Sequence, residues 1–288
     1  MLKKILIYQH ILKHDKNLAM MSKIISLTLL LLIASKALSF ELFYHFSFKD
    51  MPDFEQYGFS PSKIVYQQSL YDSPKKFNNP ITKNYLLKIS EEIKNKDSEI
   101  IYVQLDIETW LGKSPISSPA ILDRYKRTLI DFKKLMGSEY KVGYYRIAPA
   151  WAHWNLPQNK AREVIWNLEN SKRQVIADAS DVLYPALYTY TENVEDWLAV
   201  AEKVLVTSRK MAKGKPVIPF IWPRFHGSSH IKGEDNRYLP RKYWRTQLEF
   251  LRKHADGLII WNDGLYTEWD ENAPWWIETK LFLKSHEK

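Results

Sequence analysis

The feature that most constrains this chain is an alternation. From Phe40 onward, β-rich runs at 41–46, 63–68, 99–107, 141–147, 181–188, 216–222 and 257–261 are separated by stretches of helical periodicity. Neighbouring parallel strands need a long crossover, usually a helix, so this pattern predicts a parallel α/β fold. Two architectures share it, a (β/α) barrel and an open doubly wound sheet. No Gly-x-Gly-x-x-Gly follows any strand and the chain holds only nine glycines, which favours the barrel over a dinucleotide-binding sheet. The runs number seven rather than the usual eight.

The intervening stretches carry helix signals of differing strength. Ser118 is an N-cap candidate, Pro119 suits the first helical position, and Gly137 suits the stop. Between them Ile121, Leu122, Tyr125, Leu129, Phe132 and Leu135 form one apolar face. Weaker periodicities place Leu86, Leu87, Ile89 and Ile93 on one buried face, and Ala161, Val164, Ile165 and Leu168 on another. Val194, Trp197, Leu198, Ala201 and Leu205 form a third, and Tyr243, Trp244, Leu248 and Leu251 a fourth.

The first 39 residues read differently. Lys23 precedes the apolar run 24–33, and the small residues Ala37 and Ser39 follow, the form of a secretory signal peptide. The run is shorter than the roughly twenty residues a spanning helix needs, which disfavours a membrane anchor. The expected organisation is a leader at 1–39 and a single barrel domain at 40–288, exported to the periplasm or beyond and without a stable membrane span after cleavage. Residues upstream of Met20 and Met21 are unusual before a leader, so either methionine is a candidate start.

The formal charge of +9 overstates the basicity of that domain. Six of the 42 Lys and Arg and one of the 33 Asp and Glu lie in residues 1–39, leaving +4. With no basic-aromatic patch in evidence either, a nucleic-acid partner is not expected. The absence of cysteine excludes a disulfide scaffold and a thiolate metal site. No His-Glu-x-x-His and no Gly-x-Ser-x-Gly occurs, so zinc and serine hydrolases lack their minimal parts. His226 and His230, on the long polar stretch 223–239, read as solvated rather than as metal ligands.

In a barrel the chemistry sits at the carboxyl ends of the strands. One strand ends Leu105-Asp106-Ile107-Glu108, and side chains two apart share a face, so two carboxyls converge there. Like charges this close disfavour ionising both, which leaves one carboxylic acid able to protonate a leaving oxygen. A lone Asp-x-Glu also occurs in ordinary turns. Tyr145, Tyr188, Trp222 and Trp261 fall at the ends of four further runs, where aromatic faces suit the apolar C–H patches of sugars. Each of these taken singly reads equally well as core packing.

Taken together, Asp106-Ile-Glu-Thr-Trp110, Gly143-Tyr-Tyr145, Leu183-Tyr-Pro-Ala-Leu-Tyr188, Pro219-Phe-Ile-Trp222 and Gly257-Leu-Ile-Ile-Trp261 stand in the order found in the hyaluronidases of glycoside hydrolase family fifty-six. The chain resembles that family from about Phe40 to Glu287. The resemblance implies a distorted seven-stranded TIM-like barrel, with Glu108 as acid/base and Asp106 as its hydrogen-bonded partner. It further implies that Tyr145, Tyr188 and Trp261 line the site of an acetamido sugar, with Trp110 buttressing the carboxyls and, like Trp222, among the substrate contacts. The implied chemistry is substrate-assisted: the N-acetyl oxygen is the nucleophile, the configuration is retained, and no metal or cofactor is called for. Two departures are Leu111-Gly112, where the family has Arg-Pro, and the missing cysteines.

The expected partner is therefore a polysaccharide, hyaluronan or another glycosaminoglycan. The rival readings are a chitinase-like or peptidoglycan-directed hexosaminidase, and a barrel that binds carbohydrate without turning it over.

Overall fold

The computed structural model describes residues 40–46, 48–96, 99–111, 117–227, 237–262 and 267–286. The expected leader at 1–39 lies outside them. The strands are β1 (Glu41–His45), β2 (Phe59–Pro61), β3 (Lys63–Tyr66), β4 (Tyr102–Asp106), β5 (Lys141–Tyr144), β6 (Phe220–Ile221) and β7 (Gly257–Trp261). They form two parallel sheets, one in the order β2-β1-β7-β6 and one in the order β3-β4-β5. Isolated parallel bridges, Tyr145 with Tyr184, Leu183 with Val217 and Ala186 with Phe220, carry the same alignment from β5 towards β6.

The expected parallel α/β class is present, but the seven anticipated strands are not the seven observed, and among the described residues the ladder does not close into one barrel. The run 181–188 makes bridges rather than a strand, because Pro185 has no N–H to give a ladder. The run 216–222 shortens to two residues for the same reason, with Pro216 and Pro219 inside it. β2 was not anticipated at all. The run 141–147 ends early because the backbone turns at Arg146, whose φ is +47°.

Six helices lie among the described residues: α1 (Lys83–Lys96), α2 (Pro119–Met136), α3 (Lys160–Ala179), α4 (Val194–Ala212), α5 (Arg241–His254) and α6 (Pro274–His286). None is long and apolar enough to cross a membrane. The second is bounded as its sequence predicts: the Ser118 hydroxyl accepts from the Ile121 N–H at 3.3 Å, and Gly137 ends it at a φ of +96°. Tyr125, Leu129 and Phe132 on its inner face are fully buried, each burial stabilising by roughly 1.5–3 kcal/mol.

The third helix overturns its prediction. Val164, Ile165 and Leu168, expected in the core, are exposed, and so is Ala161. The buried face is instead Trp166, Glu169, Asn170, Arg173, Ile176 and Ala177. This face tolerates burial because most of its polar groups are satisfied, Asn170 Nδ2 being the exception. Glu169 accepts from Arg173 Nε at 2.7 Å and from the Ser117 N–H at 2.8 Å, and Arg173 Nη1 donates to the Ile147 carbonyl at 2.9 Å. Asn170 Oδ1 accepts from the Ala150 N–H, and the Trp166 indole donates to the Ala150 carbonyl. The helix thus clamps the segment that follows β5. A smaller correction concerns α1, where Leu86, Ile89 and Ile93 are buried but Leu87 is exposed.

Candidate active site

Strand register brings the site together. Asp106 pairs with Tyr66 across β3 and β4, Leu105 with Tyr144 across β4 and β5, and Trp261 with His45 across β1 and β7. Since all these ladders are parallel, the carboxyl ends of the strands fall at one level. Gly143 allows the next step round. A Cβ there would lie 2.2 Å from the Val182 carbonyl oxygen, so only glycine lets β5 come close enough for Tyr145 to bridge Tyr184.

The result is a cleft of about 340 Å³ whose walls include Asp106, Glu108, Tyr145, Tyr188, Trp222 and Trp261. Of the seven residues singled out from the sequence, six meet here. The seventh, Trp110, is buried outside the cleft wall, so the expected direct contact with substrate is not supported. Its indole N–H donates to the Phe77 carbonyl at 2.7 Å and the Tyr71 hydroxyl at 3.1 Å, and its ring packs edge-on against Tyr125. Tyr125 in turn donates to the Ile107 carbonyl at 2.6 Å, between the two carboxyl residues. This packing links Trp110 to the backbone between the two carboxyl residues.

The carboxyl that rises is that of Asp106. Burial is the main cause and the charge of Glu108 adds to it, while Arg146 opposes both, and the outcome is a pKa pushed up to about 7. Asp106 Oδ1 is buried without a hydrogen-bond partner. Glu108 stands further out, its Oε1 2.9 Å from Arg146 Nη1. The pair is therefore asymmetric: an inner carboxyl that holds a proton near neutrality, and an outer one that faces the cleft beside a cation.

The aromatic wall is continuous. Tyr188 stacks on Trp261 at 5.8 Å and on His226 at 5.9 Å, and Trp222 meets Trp261 edge-on at 5.1 Å. The Trp261 indole donates to the Tyr66 hydroxyl at 3.1 Å, and the Trp222 indole donates to Asn262 Oδ1 at 3.3 Å. The Tyr145 and Tyr188 hydroxyls are hydrogen-bonded to each other, and burial raises both phenols far above the range where they would ionise. They are neutral hydrogen-bonding groups at any physiological pH.

Three cleft residues were missed or undervalued in the sequence. Tyr66 ends β3, so the strand-end rule would have found it had the run been stopped there rather than at Gln68. His226, read as solvated, lies against Tyr188 and Tyr190 at the pinned base of the loop, where its backbone N–H donates to the Thr189 carbonyl at 2.8 Å. His230 lies outside the described residues. Arg146 left no signal, because a left-handed arginine is rare and nothing local marks it. Among the described residues no three His, Asp or Glu side chains group as metal ligands.

No protein-family model and no curated protein matches the chain. Solved structures do match in fold. Bee venom hyaluronidase superposes with a TM-score of 0.52 at 16% identity, over 85% of this chain and 96% of that one. Its complex with a hyaluronic acid tetramer gives 0.53 at the same identity, over 85% and 95%. An endo-1,4-beta-D-mannanase from Thermotoga petrophila gives 0.54 at 12% identity, over 80% and 76%. At these identities the likeness establishes a shared α/β fold with parallel strands.

Proposed function

We propose that the protein is an exported, retaining glycosidase that cleaves bonds next to N-acetylhexosamine in hyaluronan or a related glycosaminoglycan, on a distorted seven-stranded barrel. The observation that carries this reading is the asymmetric pair Asp106 and Glu108 in an aromatic cleft. A single proton held by two neighbouring carboxyls at neutral pH is what general acid catalysis at a glycosidic oxygen requires. Export rests on the charged, apolar and small pattern of residues 23–39 alone.

The steps follow from the residues. A sugar ring lies against Trp261 and Tyr188, with its acetamide towards the Tyr145 and Tyr188 hydroxyls. The acetamide oxygen attacks the anomeric carbon as the bond to the leaving oxygen breaks, and Glu108 gives that oxygen its proton. Asp106, buried beside Glu108, passes its proton to Glu108 as this happens and is left a carboxylate that accepts from the acetamide N–H. Water then attacks the anomeric carbon, Glu108 takes the water's proton, and the acetamide oxygen departs. Two displacements on one carbon retain the configuration.

The test is turnover by the purified protein on hyaluronan, chondroitin and chitin oligosaccharides, with product configuration read by NMR. New reducing ends in the β configuration from a β-linked N-acetylhexosaminide support the proposal. Absence of cleavage on all three polymers overturns it, and cleavage of chitin alone replaces it with the chitinase-like reading.

A further inference from the structure

The cleft does not end at Arg146. On the far side of that side chain a second pocket of about 360 Å³ opens, lined among others by Arg146, Trp151, His153, Arg162, Ile165 and Trp166. That volume lies within the range of small-molecule sites, about 300–1,000 Å³. Arg146 is the partition between the two spaces. Its guanidinium pairs with Glu108 on one side, and its carbon lies 5.8 Å from the centre of the Trp151 ring on the other. A chain molecule seated at Glu108 and leaving the cleft over Arg146 meets Trp151 next.

Trp151 is built as a platform. Its side chain is 37% exposed although tryptophan is a costly residue to leave in water. Its ring is held edge-on by His153 at 5.7 Å and Tyr190 at 5.7 Å, so its position is fixed while part of it stays open. Arg162, in the first turn of α3, is exposed, and its guanidinium makes no ion pair among the described residues. Of the pocket's other two arginines, Arg146 is paired with Glu108, and Arg173 is committed to Glu169 and the Ile147 carbonyl. One wall thus offers a fixed aromatic face and another an uncommitted cation. The same helix turns Ile165 into the pocket, which accounts for an isoleucine at the surface where the helix period had predicted core.

We propose that this pocket binds a further sugar residue of an acidic polysaccharide, with Trp151 under the ring and Arg162 on the uronate carboxylate. The proposal rests on the glycosidase reading and sharpens it: an uncharged polymer would use the platform but not the arginine. The carboxylate needs a cation of its own, because Arg146 is already paired with Glu108.

The test is calorimetric titration of the full-chain protein, with Glu108 intact, against uncleavable thio-linked forms of a hyaluronan disaccharide, a hyaluronan octasaccharide and a chitin hexasaccharide. Trp151→Ala is expected to lower the ratio of octasaccharide to disaccharide affinity about tenfold, for loss of a stacked face. Arg162→Gln is expected to lower the same ratio about threefold, an effect that shrinks in high salt and is absent for the chitin hexasaccharide. If both variants leave the ratio unchanged while the disaccharide still binds, the pocket is not a sugar site and only this inference falls. If none of the three saccharides binds, this inference and the glycosidase reading fall together. Arg162 is a surface side chain, so its variant remains informative should Trp151→Ala fold poorly.

Discussion

Two arginine–carboxylate pairs stand on either side of the segment that follows β5, and they are made of the same parts to opposite ends. Glu169 and Arg173 are 4% and 8% exposed, and the carboxylate is fully engaged by Ser117 and Arg173. Burial works to raise the Glu169 carboxyl, but the Ser117 hydroxyl and N–H and then Arg173 outweigh it and hold it below its ordinary value. Glu108 and Arg146 are 46% and 30% exposed and share one contact, beside an Asp106 that keeps a buried, unpartnered oxygen. The closed pair is complete within the fold; the open one leaves polar atoms to a ligand, as the proposed function requires, since buried polar groups are almost always satisfied unless a ligand completes them. The first also supports the second. Arg173 grips the Ile147 carbonyl, one residue beyond the left-handed Arg146, whose conformation persists only if its surroundings hold it.

The largest expected effect tests the open pair. Glu108→Gln keeps the shape but cannot transfer a proton as the proposed acid must, so turnover is expected to fall about 10²–10⁴-fold, as is usual for a general acid. Thermal stability should change by no more than about 0.5 kcal/mol, as for an exposed side chain. Initial rates on polymer with a parallel denaturation curve check this, and an unimpaired Glu108→Gln enzyme would end the proposed mechanism. The closed pair should behave the other way. Glu169→Ala leaves Arg173 buried and unpaired, with an expected loss of about 3–5 kcal/mol of stability. Activity per folded molecule should fall far less, as measured by active-site titration at low temperature. If Glu169→Ala costs turnover but no stability, the two pairs have been assigned the wrong way round.

The contrast also marks what sequence reasoning can reach. The boundaries of α2 were legible because caps are local: Ser118, Pro119 and Gly137 act within a few residues of themselves. Asp106 and Glu108 were legible because strand alternation alone puts them on one face. The buried face of α3 was not legible, for apolar periodicity pointed to Val164, Ile165 and Leu168 while the real inner face holds Glu169, Asn170 and Arg173. Those residues can be buried only because Ser117, Ile147 and Ala150 arrive from elsewhere in the chain to bond them. Arg146 was hidden for the same reason. Its partner lies 38 positions away in sequence and its backbone state is imposed by its neighbours.

A smaller effect concerns pH, and its sign separates the pairs again. The Asp106 carboxyl titrates near 7 in the folded protein, against about 3.9 in an unfolded chain. Between those values the folded state holds a proton that the unfolded state has lost, so stability is expected to fall as pH rises from about 4 to about 7. The loss is at most roughly 4 kcal/mol and is reduced by solvent screening, since one pKa unit is worth about 1.36 kcal/mol. Asp106→Asn should flatten this slope, make the protein more stable above pH 7, and move the basic limb of the pH–rate profile. Glu169 has the opposite sense. Its depressed carboxyl contributes stability above about pH 4.5 that is lost as the pH falls through its folded value. Urea denaturation at several pH values for wild type and Asp106→Asn resolves the two, and a parallel pair of curves would show that Asp106 is not the raised group.

The smallest expected effect falls on Tyr188, and it separates the aromatic wall from the carboxyls behind it. The ring of Tyr188 is packing, stacked on Trp261 at an interplanar angle of 29° and on His226 at 25°. Its hydroxyl is bonded to that of Tyr145, and the residue lines the cleft. Tyr188→Phe keeps every ring contact and removes only the hydroxyl, so stability should fall by about 0.5–1.5 kcal/mol, the worth of one hydrogen bond. If the hydroxyl also bonds the acetamide as the anomeric centre reacts, kcat should drop about tenfold with little change in KM, because the interaction is stronger in the transition state than in the bound substrate. Because burial keeps this phenol neutral far above its ordinary range, that loss should be the same across the pH interval in which Asp106 titrates. A tenfold loss that grows or vanishes between pH 5 and pH 8 would mean that Tyr188 acts through the carboxyl pair instead of on the sugar, and would move it from the open half of the comparison to its support.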